Sequence, residues 1–383
     1  MIMKNRFFNE IRGNFGFGCM RLPMKDGEVD LEEMRKMTDE FISRGFNYFD
    51  TAHGYIGGKS ETAIRECVSK RYPREKFLLT NKLSTSFFNT EEEILPYFEE
   101  QLKACGVEYF DFYLMHAQDA GSFAKYKRCR AYETAFKLKE EGRVRHVGLS
   151  FHDKASVLEQ ILTEYPQIEI VQIQFNYVDY ENPSVESRKC YEICEKFGKP
   201  VIVMEPVKGG SLVNLPEKAQ KIIDDLQKDK EVKMSNASYA IRFAASFPNM
   251  CMVLSGMSDL AQMKDNLSFM QDFKPLDAEE IKALTEVRNV FYSLGMIPCT
   301  SCHYCVLDNK CPRNISIPEM ISCFNRKAVF NSWNENQYYR SVLTKEGGKA
   351  SECIKCGKCE KICPQHLPIR NILQDIAKEF EHS

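Results

Sequence analysis

Apolar runs and amphipathic stretches alternate along this chain from residue 15 to about residue 270. The apolar runs cover 15–19, 46–50, 77–81, 110–116, 144–149, 168–174, 200–205 and 251–255. Between them, apolar residues recur at helical spacing over 31–44, 61–71, 91–105, 131–141, 155–165, 184–197, 236–247 and 261–269. Runs that are continuously apolar, rather than strictly alternating, suit parallel strands covered on both faces. Eight strand–helix units predict an α/β fold, a (β/α)8 TIM barrel, which takes roughly 250 residues. A doubly wound sheet is the competing arrangement, but no Gly-x-Gly-x-x-Gly follows the first run. Further helical patterns cover 276–294, 317–330 and 368–382, with a break at 295–298.

Composition narrows the class. Of 383 residues 43% are hydrophobic, and the formal charge is −2 with acids and bases intermixed. That balance argues against a nucleic-acid surface. Residues 1–10 carry charges and two phenylalanines but no apolar run of signal length. No stretch approaches the roughly 20 apolar residues that span a bilayer. The expectation is a cytoplasmic protein without membrane or nucleic-acid partners.

The barrel prediction gives the strand ends a meaning, because such barrels build their sites at the carboxyl ends of the strands. Asp50 closes the second apolar run, and Tyr55 follows on the next loop after His53 and Gly54. Lys82 follows the third run and His116 closes the fourth. Taken singly, such a tyrosine is usually packing and such an aspartate a helix cap; their joint placement at one barrel end is what carries weight. The chemistry that fits is reduction of a carbonyl by hydride, in which the developing alkoxide needs a proton. A tyrosine at its ordinary pKa of about 10 responds poorly near neutrality. A neighbouring ammonium, Lys82, would favour the phenolate and Asp50 would hold that ammonium in place. His116 would donate a hydrogen bond to the substrate oxygen.

The segments Phe-Asp-Thr-Ala-His-Gly-Tyr ending at Tyr55, Leu-Thr-Asn-Lys ending at Lys82, Asp-Phe-Tyr-Leu-Met-His ending at His116 and Arg-Val-Arg-His-Val-Gly-Leu-Ser ending at Ser150 resemble the aldo-keto reductase family. The resemblance covers about residues 14–270. It implies that Asp50, Tyr55, Lys82 and His116 are catalytic, and that Ser150 and Gln172 hold a nicotinamide carboxamide. It also implies that Met204, Glu205, Lys208, Gly256, Ser258, Gln262 and Asn266 border the cofactor, NADPH or NADH. A helix start near Ser258 is a sensible anion site. Three departures stand out: Met204 replaces the usual aromatic residue under the nicotinamide, Gln262 replaces an arginine often set against the 2′-phosphate, and the N-terminal hairpin that plugs the barrel bottom is short. Substrate identity would lie in the loops 85–90, 118–127 and 208–215.

Of the 16 cysteines, nine follow Pro298, and eight of these gather in two groups. Without a signal peptide, clustered cysteines point to metal rather than disulfides. Cys353-x2-Cys356-x2-Cys359-x3-Cys363-Pro has the spacing of a bacterial 4Fe–4S site. Cys299-x2-Cys302-x2-Cys305-x5-Cys311-Pro repeats it with a longer final gap. In two-cluster ferredoxins the fourth cysteine ligates the other cluster. Cys299, Cys302, Cys305 and Cys363 are therefore expected on one cluster, and Cys353, Cys356, Cys359 and Cys311 on the other. Cys323 falls in a helical pattern and reads as core. The stretch resembles an α-helical ferredoxin, and the predicted domains are a barrel over 1–275, a connecting helix and linker over 276–298, and a small, mainly α-helical ferredoxin-like domain over 299–383.

The leading reading is an NAD(P)H-dependent aldo-keto reductase acting on a small-molecule carbonyl or the matching alcohol, with two 4Fe–4S clusters for electron transfer, from a setting with little oxygen. A ferredoxin or another electron-transfer protein is the expected partner. The rivals are a cluster-fed reductase that bypasses nicotinamide hydride and a non-catalytic, cofactor-binding redox sensor.

Overall fold

The structure is a computed structural model and describes residues 5–182, 185–307, 311–330, 333–345 and 347–381. Ten strands occur in it: β1 (Phe15–Gly18), β2 (Met24–Lys25), β3 (Glu28–Val29), β4 (Tyr48–Asp50), β5 (Leu78–Leu83), β6 (Phe110–Gln118), β7 (Val144–Phe151), β8 (Ile170–Gln174), β9 (Val201–Met204) and β10 (Met250–Gly256). Eight of these, all but β2 and β3, close into a barrel in sequence order, with every neighbouring pair parallel. Each barrel strand falls within the expected run or overlaps it by most of its length. The hairpin β2–β3 was not anticipated from the pattern; Gly27 at φ +79° makes its turn.

The helices follow from local signals. Asp30 caps Leu31–Ser43 by accepting from the amides of Glu32 and Glu33, and Gly45 ends it in the left-handed region at φ +94°. The expected helix over 61–71 instead starts at Lys59 and gives way to a π-turn over Arg65–Ser69. The helix expected over 184–197 is seen as Ser187–Lys196, and Ser184 lies outside the described residues. The segment 118–127, read as a loop, contains the helix Ala120–Arg128. A capping box explains this: Asp119 accepts from the Ser122 amide while the Ser122 hydroxyl accepts from the Asp119 amide.

The barrel interior is filled by side chains. Tyr48, Leu78, Phe112, Leu114, Ile170, Ile202, Met252 and Leu254 form its packed centre, with Ile11, Phe7 and Phe8 closing it from below. Among the described residues, the N-terminal segment thus plugs the bottom with side chains and without a strand pair. Asn5 ties it down by donating to the carbonyls of Gly13 and Cys251. Gly148 is required on β7, because a Cβ there would meet the Ile170 carbonyl oxygen at 2.5 Å and Leu114 at 2.7 Å.

The chain divides into two compact units, one of residues 1–207 with 237–277, the other of 208–236 with 278–383. In the second unit a separate core is formed by Ile315, Ile317, Met320, Ile321, Cys323, Tyr339, Leu373, Ile376 and Phe380. Its main helices are Glu217–Leu226, Ala278–Ser293, Ile317–Phe330 and Ile369–Glu381.

Candidate active site and cysteine cradles

Side chains on a strand alternate between faces, so a residue two positions beyond an inward one is inward again. The packed barrel centre includes Tyr48, Leu114, Ile170, Ile202 and Leu254. Two residues further along the same strands stand Asp50, His116, Gln172, Met204 and Gly256. Lys82 follows Leu78 and Thr80 by the same parity, and Ser150 follows Gly148. The uppermost inward layer of seven strands is therefore made of seven of the residues singled out from sequence. Parity and parallel pairing bring them to one rim.

Lys82 is the hub of that rim. Its Nζ donates to Asp50 Oδ1 at 2.6 Å, to the Thr51 carbonyl at 2.8 Å and to the Tyr55 hydroxyl at 3.1 Å. It also lies 4.8 Å from the Tyr55 ring centroid, a cation–π distance. Lys82 and Asp50 are buried. Burial pulls the Lys82 pKa down and pushes that of Asp50 up, while each charge works against the other's shift. Among the described residues, Asp50 Oδ2 has no hydrogen-bond partner.

The Tyr55 ring meets His116 edge to face, with centroids 5.9 Å apart. Burial, then the Lys82 charge and His152, hold the His116 pKa well below its usual value, so the ring is neutral at pH 7. His116 Nδ1 is 2.5 Å from Ser84 Oγ. With Ser84 donating, Nδ1 accepts and the proton sits on Nε2, which can then donate into the barrel mouth. Beyond His116 the β6–β7 register shifts, with Ala117 at φ +51°, a bulge beside the site. Ser84 was missed from the sequence, although it continues the parity of Lys82.

A second network lies behind Lys82. Glu61, 1% exposed, accepts from Asn81 Nδ2 at 2.7 Å and pairs with His53 at 2.7 Å. Asn81 Oδ1 in turn accepts from the Lys82 amide and from Gln101. Sequence gave no signal for it, because buried Glu and Gln look like surface residues until the fold is known.

Around the rest of the rim, the Ala117 amide donates to Ser150 Oγ at 2.8 Å. Gln172 is buried, yet its Oε1 has no partner among the described residues, which leaves an acceptor for an N–H of a bound group. Met204 ends β9, and Glu205 pairs with Arg21 at 3.3 Å, a partner not foreseen. Asn266 donates to Ser255 Oγ, and the Ser258 hydroxyl donates to the Arg21 carbonyl. Gln262 is engaged at its own helix start: Asp259 accepts from its amide and from its Nε2. Lys208 is buried at the turn Lys208–Gly210 and belongs to the second unit.

The family model of the aldo/keto reductase family matches residues 14–289. The chain belongs to the aldo/keto reductase family. It is an oxidoreductase of that type, and a second family model, that of a 4Fe–4S dicluster domain, matches residues 298–368. The chain is 23% identical over 302 residues to YqkF, an uncharacterised oxidoreductase of Bacillus subtilis, covering 70% of this chain and 90% of that one. It is 25% identical over 207 residues to an NADH-specific methylglyoxal reductase of Escherichia coli, covering 50% and 61%. In fold it is similar to aldo-keto reductase AKR11C1 of Bacillus halodurans, with TM-score 0.60, 22% identity and coverage of 74% and 96%. An aldo-keto reductase of Klebsiella pneumoniae in complex with NADPH gives TM-score 0.60 at 18% identity, covering 75% and 96%.

The iron–sulfur family match falls on the cysteine-rich unit, where Cys299, Cys302, Cys305 and Cys363 line one cavity with Thr300, Ile317, Ile321 and Leu367. Burial pushes the Cys305 thiol up, and the neighbouring Cys302, Cys299, Cys363 and Cys359 add to that shift. Four thiols facing one small apolar-walled space suit a soft-metal cluster. Among the described residues, no three His, Cys, Asp or Glu side chains converge as the ligands of a single ion would.

The second cysteine group repeats the backbone of the first. Ser301 and His303 lie at φ +52° and +65°, and their counterparts Lys355 and Gly357 at +56° and +73°. Each trailing cysteine is followed three residues later by another left-handed residue, Asn314 at +52° and His366 at +48°. The turns close alike: the Asn314 amide donates to the Cys311 carbonyl and the His366 amide to that of Cys363. Cys311 and Cys353 both pack on the unit's core, and Arg313 donates to the Glu352 carbonyl next to Cys353. Residues 308–310, within the longer final gap of the first group, lie outside the described residues.

Proposed function

We propose that this protein is an NADH-dependent carbonyl reductase that carries two 4Fe–4S clusters. The observation that carries the reading is the Lys82 hub, which touches both Asp50 and the Tyr55 hydroxyl from inside a buried barrel rim. A nicotinamide bound there supplies or accepts hydride. The chain's own residues do the rest. The Tyr55 hydroxyl gives its proton to the carbonyl oxygen, and the Lys82 ammonium 3.1 Å away stabilises the phenolate left behind. Asp50 and the Thr51 carbonyl keep the ammonium aimed at that oxygen. Neutral His116, oriented by Ser84, donates from Nε2 to the substrate oxygen as charge develops on it. Ser150 and Gln172 would hold the carboxamide, and the orphan Gln172 Oε1 is the acceptor that its NH2 group needs.

Two carboxylates support NADH over its 2′-phosphorylated counterpart. At the start of the helix Leu260–Met270, Asp259 accepts from the Gln262 amide and Glu33 from the Leu260 amide. The donors that would greet a third anion are taken by acids.

For the cysteines, the repeated left-handed positions support two equivalent cradles. That Cys363 lines the cavity of the first group supports, by the repeat, placing its counterpart Cys311 with Cys353, Cys356 and Cys359 in the second. A small dicarbonyl such as methylglyoxal is the first substrate to try, because one relative acts on it. The test is Tyr55→Phe in anaerobically purified protein. Loss of reduction by ~10²-fold or more, with nucleotide still bound, is the expected result; unchanged turnover would remove Tyr55 as proton donor. Iron should count to about eight per chain, and about four would remove one cradle.

A further inference from the structure

The two cysteine cradles share a backbone but not a surface. In the first, Cys299 to Val306 are buried or half-buried, and the loop from Cys299 to Cys305 holds no lysine or arginine. Thr300 there is 2% exposed. In the second, the equivalent loop lies open: Ile354, Lys355, Cys356, Lys358 and Lys361 are all exposed, Ile354 at 57%. Between Cys353 and Arg370 four cations, Lys355, Lys358, Lys361 and Arg370, stand against one acid, Glu360. Glu360 is itself committed to Arg370, at 2.7 Å. Because the two loops are conformational repeats, the sequence difference cannot be required by the cradle. It is a difference in what each loop faces.

An exposed apolar residue on a cysteine-bearing loop with an excess of exposed cations has the composition of a transient electrostatic interface. We propose that the loop 354–361 docks an acidic protein carrier of single electrons, which exchanges them at the cluster held by Cys353, Cys356, Cys359 and Cys311. The inner cradle then connects this entry to the rest of the second unit: the turn Tyr304–Leu307, bearing Cys305, packs against Lys358–Lys361, bearing Cys359. The proposal rests on the two-cluster reading. Each exchange moves one electron, lowering one cluster by one charge as the carrier's cluster rises by one, with no bond made or broken in either protein. Exposed cations accelerate encounter with an acidic partner and fix its orientation, and they do so less as salt rises.

The test uses anaerobically purified full-length protein and an acidic two-cluster ferredoxin as the probe, with a basic one-electron carrier of similar size as control. Binding is measured by calorimetry at several salt concentrations, beside iron content and the electron paramagnetic resonance signal of the reduced clusters. The expected result is ferredoxin binding that weakens steeply with salt and drops tenfold or more in Lys355→Glu/Lys361→Glu. Iron and cluster signals should stay unchanged in that variant. Lys355→Gln/Lys361→Gln should fall between it and the parent. Equal binding of the charge-reversed protein, or equal binding of the basic control, overturns the docking face while leaving the clusters intact. About four irons per chain with charge-dependent binding retained would overturn the two-cluster reading instead.

Discussion

Replacing Lys82 with methionine separates what the buried pair does for stability from what it does for chemistry. Lys82 Nζ makes three contacts of 2.6, 2.8 and 3.1 Å with Asp50, Thr51 and Tyr55. Methionine fills similar volume but leaves the Asp50 carboxylate 3% exposed, with Oδ2 already lacking a partner. Breaking a buried pair from one side costs about 3–5 kcal/mol. That is roughly two to four decades in the folding constant. Asp50→Leu/Lys82→Met removes both charges and should recover most of the loss, since matched apolar replacement of a buried pair is often neutral or better. Activity should stay abolished in both. The single tryptophan, Trp333, lies in the second unit, so its fluorescence would report the wrong half of the molecule. Hydrogen exchange in peptides covering β5 and β6 reads the barrel itself. A cost below about 1 kcal/mol for Lys82→Met, or a double variant less stable than the single, would refute the reasoning that this pair is buried and coupled.

Two further outcomes follow from the rim and the barrel floor. Gln172→Leu removes an orphaned buried oxygen, so stability should hold or rise slightly while nucleotide affinity falls about tenfold, the worth of one hydrogen bond; equilibrium titration of nucleotide binding checks it, and unchanged affinity would separate Gln172 from the carboxamide. At the floor, His146 bridges Glu169 and Glu10 at 2.9 and 2.7 Å. Burial opposes its charge, but the two carboxylates outweigh that and leave its pKa raised, while hydrogen bonds from His146, Lys139 and the Val147 amide bring Glu169 to about 2 against its own burial. The His146 contribution is thus complete below its unfolded pKa of about 6.5 and fades as pH rises through the higher folded value. That of Glu169 is complete above about 4.3 and fades as pH falls toward about 2. His146→Gln should therefore destabilise most between pH ~5 and ~6.5 and least near pH ~9 in denaturant titrations. A loss that grows with pH would reverse the sign and sink the argument.

The sequence by itself determined the strand positions, because parallel strands buried on both faces are written as unbroken apolar runs. It also named the residues of the rim, since Asp50 and His116 end such runs, Lys82 directly follows one, and barrels keep their chemistry at strand ends. The cysteine spacing was equally legible, being a local pattern of the sequence. Other features required the fold. The helix over Ala120–Arg128 depends on a reciprocal cap that a polar stretch such as 118–122 does not advertise. Ser84, Arg21 and the Glu61–Asn81–Gln101 network became visible only once strand pairing set distant residues side by side. The contrast between the two cysteine loops is likewise tertiary. Their spacing is nearly the same, and burial is a property of what packs around a loop, so only the folded unit covers one and leaves the other open.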